Sequence, residues 1–232
     1  MLTYRPSEAR GSADFGWLKA KHTFSFSEYF DPKFMGFRSL RVINEDRIAA
    51  GEGFPTHAHK DMEIITYIIS GALEHKDSMG NGSIITPGEF QYMSAGKGVT
   101  HSEYNHLQND STHLLQIWIM PNEKSAQPRY DQQNWSKAET KNKLFLAVSG
   151  EKDQGQIKVR QDAKIYVSHL DKDKSLGYTT AVHRGLWIQL VKGELNVNGQ
   201  TMKDGDGLAI EKVTDIELLA QNNSEFLLFD LA

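Results

Sequence analysis

Two short segments about forty residues apart carry metal-ligand side chains at alternate positions. FPTHAHKDMEI holds His57 and His59, and SAGKGVTHSEYN holds His101 and Glu103. On an extended strand residues i and i+2 point the same way, so each pair shares one face. If the two strands lie in one barrel, both pairs converge. The N3O1 set that results suits a first-row divalent metal, and a six-coordinate ion held by four protein ligands keeps two positions open for substrate, water or dioxygen. A lone H-x-H carries little weight, because alternating histidines are common on exposed strands. The second pair, set among glycines, supplies the weight. A buried Glu103 without a cation costs roughly several kcal/mol or takes up a proton, and a metal removes that cost.

The rest of the chain reads as strands. MEIITYIIS, HLLQIWIM, LWIQLVKGELNVNG and EFLLFDL are short, rich in Ile, Val, Tyr, Phe and Trp, and bounded by turns such as DSMGNGS, PGEF and KDGDG. Many short strands so spaced imply an all-β sandwich or barrel. The polar stretch PNEKSAQPRYDQQNWSKAETKNK, from Pro121 to Lys143, reads as a connection between two halves. The halves look related. Laying Gly71 on Gly193 sets His57, His59 and Glu63 opposite Thr179, Ala181 and Gly185, and laying Gly88 on Gly205 sets His101 and Glu103 opposite Leu218 and Ala220. None of these suits a divalent metal, so the second half reads as a duplicated barrel without a metal site.

Composition bounds the function. At 232 residues and 39% hydrophobic the chain can bury a sizeable core. A net charge of -4 with Lys and Arg scattered disfavours nucleic acid as a direct ligand. The absence of cysteine excludes disulfides, thiolate ligands and a cysteine nucleophile. The opening MLTYRPSEARGS has no apolar signal region and no stretch reaches membrane-spanning length, which leads to an expected cytoplasmic location without membrane association.

The spacing G-x5-H-x-H-x3-E from Gly51 to Glu63, with Gly71 beyond, and G-x-G-x2-H-x3-N from Gly96 to Asn105 resembles the two cupin motifs. It departs from them in a gap from Glu63 to Gly71 one residue longer and in Gly96 at the place of the second motif's proline. Closer is the pirin family of cupins, which HTFSF, YFDPKFMGF, RVINED, THAHKDMEI, PGEFQYMSAGKGVTHSE and QIWIMP all resemble. The resemblance implies a bicupin of two β-barrel (double-stranded β-helix) domains, residues 1–130 holding the metal and 131–232 without a metal site. It assigns the metal ligands to His57, His59, His101 and Glu103, whereas a plain cupin would use Glu63, which is left as an outer residue or alternative ligand. The cofactor implied is one divalent transition metal, iron(II) first, with manganese, cobalt, nickel, copper and zinc also accepted by such a set.

Bacterial pirins resemble quercetin 2,3-dioxygenases, so the resemblance implies a metal-dependent dioxygenase that cleaves a flavonol with O2 and releases carbon monoxide, with Glu103, or Glu63, as the base that takes the 3-hydroxyl proton. The alternative it implies is a redox-sensing transcriptional coregulator that meets a protein partner. An open pocket beside the metal would favour the enzyme; a metal sealed under a flat charged surface would favour the sensor. His22 reads as a hydrogen-bonded structural residue, and His75, His106, His113, His169 and His183 as solvated or packing residues. Phe24, Phe26, Phe34, Phe37 and Met35 suit either an aromatic pocket or the core. Gln116 and Trp118 alternate with Leu115, Ile117 and Ile119, so one parity faces inward.

Overall fold

The period of two expected of strands is visible along Val99–Asn105, where Val99, His101, Glu103 and Asn105 are buried and Thr100 and Tyr104 exposed. Glu63–Ser70 and Gly185–Lys192 instead are buried through their first six residues, as their unbroken apolar runs require of central strands. The computed structural model describes all residues, Met1–Ala232, and they form two compact units built almost entirely of β-strands.

The first unit comprises Gly11–Asn134 with Val159–Gln161. Its larger sheet is antiparallel and runs, in spatial order, Arg129–Asn134, Glu89–Ser94, Glu63–Ser70, Thr112–Ile119, Leu40–Ile48, Leu18–His22 and Gly11–Asp14. The smaller runs Gly53–His59, Val99–Asn105, Leu73–Asp77 and Gly82–Ile85. The sheets are open, not closed cylinders, and they share a core: Leu18, Ile48, Ile68 and Leu114 of the larger pack with Leu73 and Ile85 of the smaller. In the second unit Leu186, Ile188, Leu208 and Phe226 of a seven-stranded sheet meet Leu195, Val197, Ile216 and Leu218 of a four-stranded one. Each buried aliphatic or aromatic side chain of this kind contributes about 1.5–3 kcal/mol.

One device recurs in both units and supports the duplication. Gly71 and Gly193 sit at φ +87° and +104°, and a Cβ on either would come within 2.7 Å of the Cα of Thr112 or Ser224. The Thr112 hydroxyl accepts from Ala72 N at 3.1 Å and lies 2.9 Å from Ala72 O. The Ser224 hydroxyl does the same to Glu194, at 3.2 and 3.0 Å. Asn105, the last residue of the second motif, is a clamp: its Nδ2 donates to Ile48 O, Ala49 O and Asp110 O at 2.8–3.0 Å, and its Oδ1 accepts from Leu107 N and Thr112 Oγ1.

Three details differ from the sequence reading. Residues 1–130 and 131–232 are not the compact units, because Met1–Arg10 belong with Trp135–Lys158 and Asp162–Ala232. Leu2–Arg5 pairs with Gly207–Glu211 as an edge strand, and Asp206 accepts from Tyr4 Oη and Ser7 N at 2.5 and 2.7 Å. The stretch from Pro121 to Lys143 is not a plain connection: Arg129–Asn134 pairs with Glu89–Ser94, and Lys137–Thr140 makes one helical turn. Being an edge strand, Arg129–Asn134 needs no apolar pattern. Finally, Leu218 pairs with Leu176 and Thr179 with Asp215, so the two alignments of the halves do not describe one cross-strand pair. No helix is long and apolar enough to cross a membrane.

Candidate metal centre

Strand register brings the two ligand pairs together. His101 lies directly opposite His57 and Val99 opposite His59, and an irregularity between His101 and Glu103 moves Glu103 opposite Phe54. Ring centroids are 4.4 Å apart for His57 and His101, 4.8 Å for His57 and His59, and 4.9 Å for His59 and His101. The ligand atoms of these three imidazoles all lie within 4.8 Å of one another. On its other side the same strand pairs with Leu73–Asp77, which sets Asp77 opposite His101 and His75 opposite Glu103. Both carboxylate oxygens of Glu103 accept from Gln116 Nε2, at 3.0 and 3.2 Å.

The electrostatics favour a cation. Burial first, then His57 and His75, pushes His101 down to about 3. Burial, then His101 and His57, pushes His59 down to about 4. Both rings are therefore neutral near pH 7 and offer lone pairs. His57 Nδ1 is 2.8 Å from Pro55 O, a contact in which the nitrogen must donate, so Nε2 is the nitrogen left to face an ion. His101 Nε2 is buried with no hydrogen-bond partner, and so is Asp46 Oδ1. Asp46 is pushed up to about 7 by burial, then by Glu103 and Glu45. Unpartnered lone pairs beside closely spaced buried carboxyls are what a divalent ion resolves, so the donor set fits one.

The imidazoles open onto a cavity of about 530 Å³, within the size range of small-molecule sites. Phe15, Phe26, Tyr29, Phe54 and Trp118 contribute its aromatic lining, with Gln116, Asn44 and Asp46 among the polar groups. Trp118 stands edge-on to His59 at 5.1 Å and to Phe26 at 5.5 Å. The parity of Gln116 and Trp118 is thus the one that faces the cavity, while Leu115, Ile117 and Ile119 are buried away from it. Of the sequence-predicted aromatics Phe26 lines the cavity and Phe24 lies in the core; Phe34, Met35 and Phe37 are not part of the lining.

His22 lines the cavity with Nδ1 2.9 Å from Asn44 Oδ1. Glu63 is fully buried and engaged elsewhere: Tyr92 Oη, Ser94 Oγ and Arg160 N donate to it at 2.5, 2.6 and 2.8 Å. His113 pairs with Glu45 at 2.9 Å, His106 with Glu74 at 3.6 Å, and His169 with Thr140 Oγ1 at 2.8 Å. His183 is exposed. His75 is not solvated. It is fully buried against His101, with the two Nδ1 atoms 3.4 Å apart, and its Nε2 meets Asp77 Oδ2 at 3.2 Å. The sequence reading allowed for a packing His75 but not for its contact with His101, and it passed over Asp46. The signal for His75 was its inward parity with Leu73 and Asp77.

In the second unit the corresponding small sheet turns Leu195, Val197, Ile216, Leu218 and Ala220 into the core, with Leu176 and Tyr178 packed against them. Two paired-sheet units, one filled with hydrocarbon and one presenting histidines to a cavity, define the class as a bicupin. The chain belongs to the pirin family: it matches Pirin over residues 3–119 and the quercetinase C-terminal cupin domain over residues 146–231. A quercetin 2,3-dioxygenase of Escherichia coli strain K12 is 48% identical over 231 residues, covering 100% of this chain and 99% of that protein. The crystal structure of YhhW from Escherichia coli, also 48% identical, superposes with a TM-score of 0.96 and covers 100% of this chain and 98% of that one. The crystal structure of bacterial pirin YhhW in complex with nickel(II) gives 0.95 at the same identity, covering 100% and 99%.

Proposed function

We propose that the chain holds one divalent transition metal through His57, His59, His101 and Glu103, and that it cleaves a flavonol such as quercetin with O2, releasing carbon monoxide and a depside. The observation that carries this reading is the aromatic-lined cavity onto which the three imidazoles and Glu103 open. His57 and His59 are only half-buried, so a small molecule can reach them. A sensor sealed beneath a flat surface would have no use for such a space. Similarity to a quercetin 2,3-dioxygenase over the full chain supports the same substrate class.

Held by His57, His59, His101 and Glu103, a divalent ion would supply Lewis acidity that lowers the pKa of the substrate's 3-hydroxyl. The residues of the chain do the rest. Glu103 accepts the 3-hydroxyl proton, and Gln116, donating to both of its oxygens, holds the carboxylate in register. Phe26, Tyr29, Phe54 and Trp118 bind the flat rings and exclude water. Overall, one flavonol and one O2 yield one depside and one carbon monoxide, both oxygen atoms of O2 entering the depside.

Iron(II) is the first choice of metal, and the nickel(II) complex of a 48% identical pirin supports a site tolerant of other divalent ions. The test is to load the purified protein in turn with iron, manganese, cobalt, nickel and copper, verify occupancy, and measure oxygen uptake and carbon monoxide with quercetin. Release above the free-metal control is expected for at least one ion. None from any of them would defeat the dioxygenase reading and favour the coregulator.

A further inference from the structure

We infer that His75 is a positioning residue: with Asp77 it forms a buried relay, Asp77–His75–His101, that fixes which nitrogen of His101 carries the proton. The inference rests on the proposed metal site and extends it to residues that touch neither metal nor substrate. The Leu73–Asp77 strand lies beside Val99–Asn105, opposite the side taken by Gly53–His59, so His101 is flanked by His57 on one strand and by Asp77 and His75 on the other.

Asp77 has its Oδ1 occupied by Met79 N and Asn81 N, at 2.9 and 3.0 Å, and its Oδ2 by Asn81 Nδ2 at 2.9 Å. Those donors hold the carboxylate ionised and oriented, so His75 Nε2, 3.2 Å from Oδ2, must be the protonated nitrogen of that ring. The other nitrogen of that ring, Nδ1, faces His101 Nδ1 at 3.4 Å, so one of the two must donate and the other accept. His101 Nε2 is buried without a protein partner, and a proton placed there would have no acceptor. His101 therefore carries its proton on Nδ1, donates to His75 Nδ1 and leaves Nε2 bare. Tyr130 fixes the His75 ring, with centroids 5.2 Å apart, and is itself tied by hydrogen bonds to Ser83 and Gln132. His75 can approach His101 and Glu103 closely enough to be read as a ligand in its own right. Two facts argue otherwise: it lies outside the cavity lining, and both its nitrogens already have partners.

The relay is testable without metal. In metal-free protein carrying 15N-histidine, long-range 1H–15N correlation should show His75 protonated on Nε2 and His101 on Nδ1. Asp77→Asn, nearly isosteric, keeps an oxygen toward the Met79 and Asn81 amides and turns an NH2 toward His75 Nε2, which should reverse both tautomers. Nickel(II) affinity, measured by chelator competition, should fall about 10–100-fold in Asp77→Asn and in His75→Leu, the scale seen when partners behind metal ligands are removed. His75→Asn, which restores an acceptor facing His101 Nδ1, should recover part of the loss although its melting temperature falls like that of His75→Leu. His101 protonated on Nε2 in the wild type, or wild-type affinity in His75→Leu, overturns the role of His75 alone. So does a zinc-loaded spectrum with His75 Nδ1 shifted into the metal-bound range, which would make it a ligand. Wild-type protein with the expected tautomers but no stoichiometric metal overturns the proposed site, and the positioning role falls with it.

Discussion

His57 and His101 are direct cross-strand partners, their rings 4.4 Å apart at the meeting of Gly53–His59 and Val99–Asn105. Because the pair is set by backbone register, truncating either ring leaves the strands intact and removes a ligand. His57→Ala and His101→Ala should each lose metal, and the double variant should retain none. The second unit turns hydrocarbon inward along the corresponding strands, so it should not supply a replacement site. Metal analysis after purification without chelators checks this; one equivalent in the wild type and none in the double variant is the expected outcome, and full occupancy in the double variant would refute the ligand assignment.

Much of this site is legible in the sequence because alternation alone decides it. The i, i+2 spacing of His57 and His59, and of His101 and Glu103, fixes a shared face for each pair before any register is known. What alternation cannot supply is which strand lies next to which. His75 shares inward parity with Leu73, yet only the pairing of Leu73–Asp77 with Val99–Asn105 sets it against His101. Asp46 looks like part of a charged run, RVINED, and becomes a cavity group only because Val42, Asn44, Asp46 and Ile48 are all buried along Leu40–Ile48. The edge strands Leu2–Arg5 and Arg129–Asn134 escape notice for a related reason: half their backbone needs no partner, so their side chains carry little pattern. Membership of Leu2–Arg5 in the second unit depends on pairing some 200 residues away, which no local signal encodes.

Asp46 makes a prediction about pH. Its carboxyl is pushed up to about 7 in the folded protein, above its ordinary value near 3.8, because burial and the nearby Glu103 and Glu45 disfavour its charge. Below about pH 4 both folded and unfolded chains hold the proton and there is no penalty. As pH rises toward 7 the unfolded chain releases its proton while the folded one keeps it, so stability falls across that window. Asp46→Asn should therefore stabilise the metal-free protein at pH 8 by on the order of a few kcal/mol and leave it little changed at pH 4. Urea unfolding at the two pH values measures this, and an equal effect at both would count against a titrating Asp46.

Asp230 anchors the second unit. It accepts from Tyr178 Oη at 2.5 Å, from Thr180 Oγ1 at 2.9 Å and from Arg184 Nε, while Arg184 Nη1 reaches Asp162 at 2.8 Å. Arg184→Ala strands a buried carboxylate and should cost about 3–5 kcal/mol. Arg184→Lys keeps the charge but loses the fork that spans Asp230 and Asp162, so it should recover only part. Chemical denaturation of the metal-free proteins reads the loss. Nickel stoichiometry under folding conditions should stay at the wild-type value, since none of these residues lines the cavity.

Glu103→Gln separates ligand from base. The amide keeps the side chain's length, and its oxygen can still coordinate weakly, but it cannot accept the 3-hydroxyl proton of a flavonol. Metal content should drop modestly while turnover at matched occupancy falls by about 10²–10⁴-fold, the usual contribution of a positioned base. Gln116→Leu is the companion variant. It removes the donor that meets both Glu103 oxygens at 3.0 and 3.2 Å without touching the ligands themselves. Carbon monoxide release and bound metal should be measured on the same samples. Should turnover track metal content one for one in both variants, Glu103 is a ligand only, and the proton must leave by another group of the cavity, of which Asp46 is the nearest in kind.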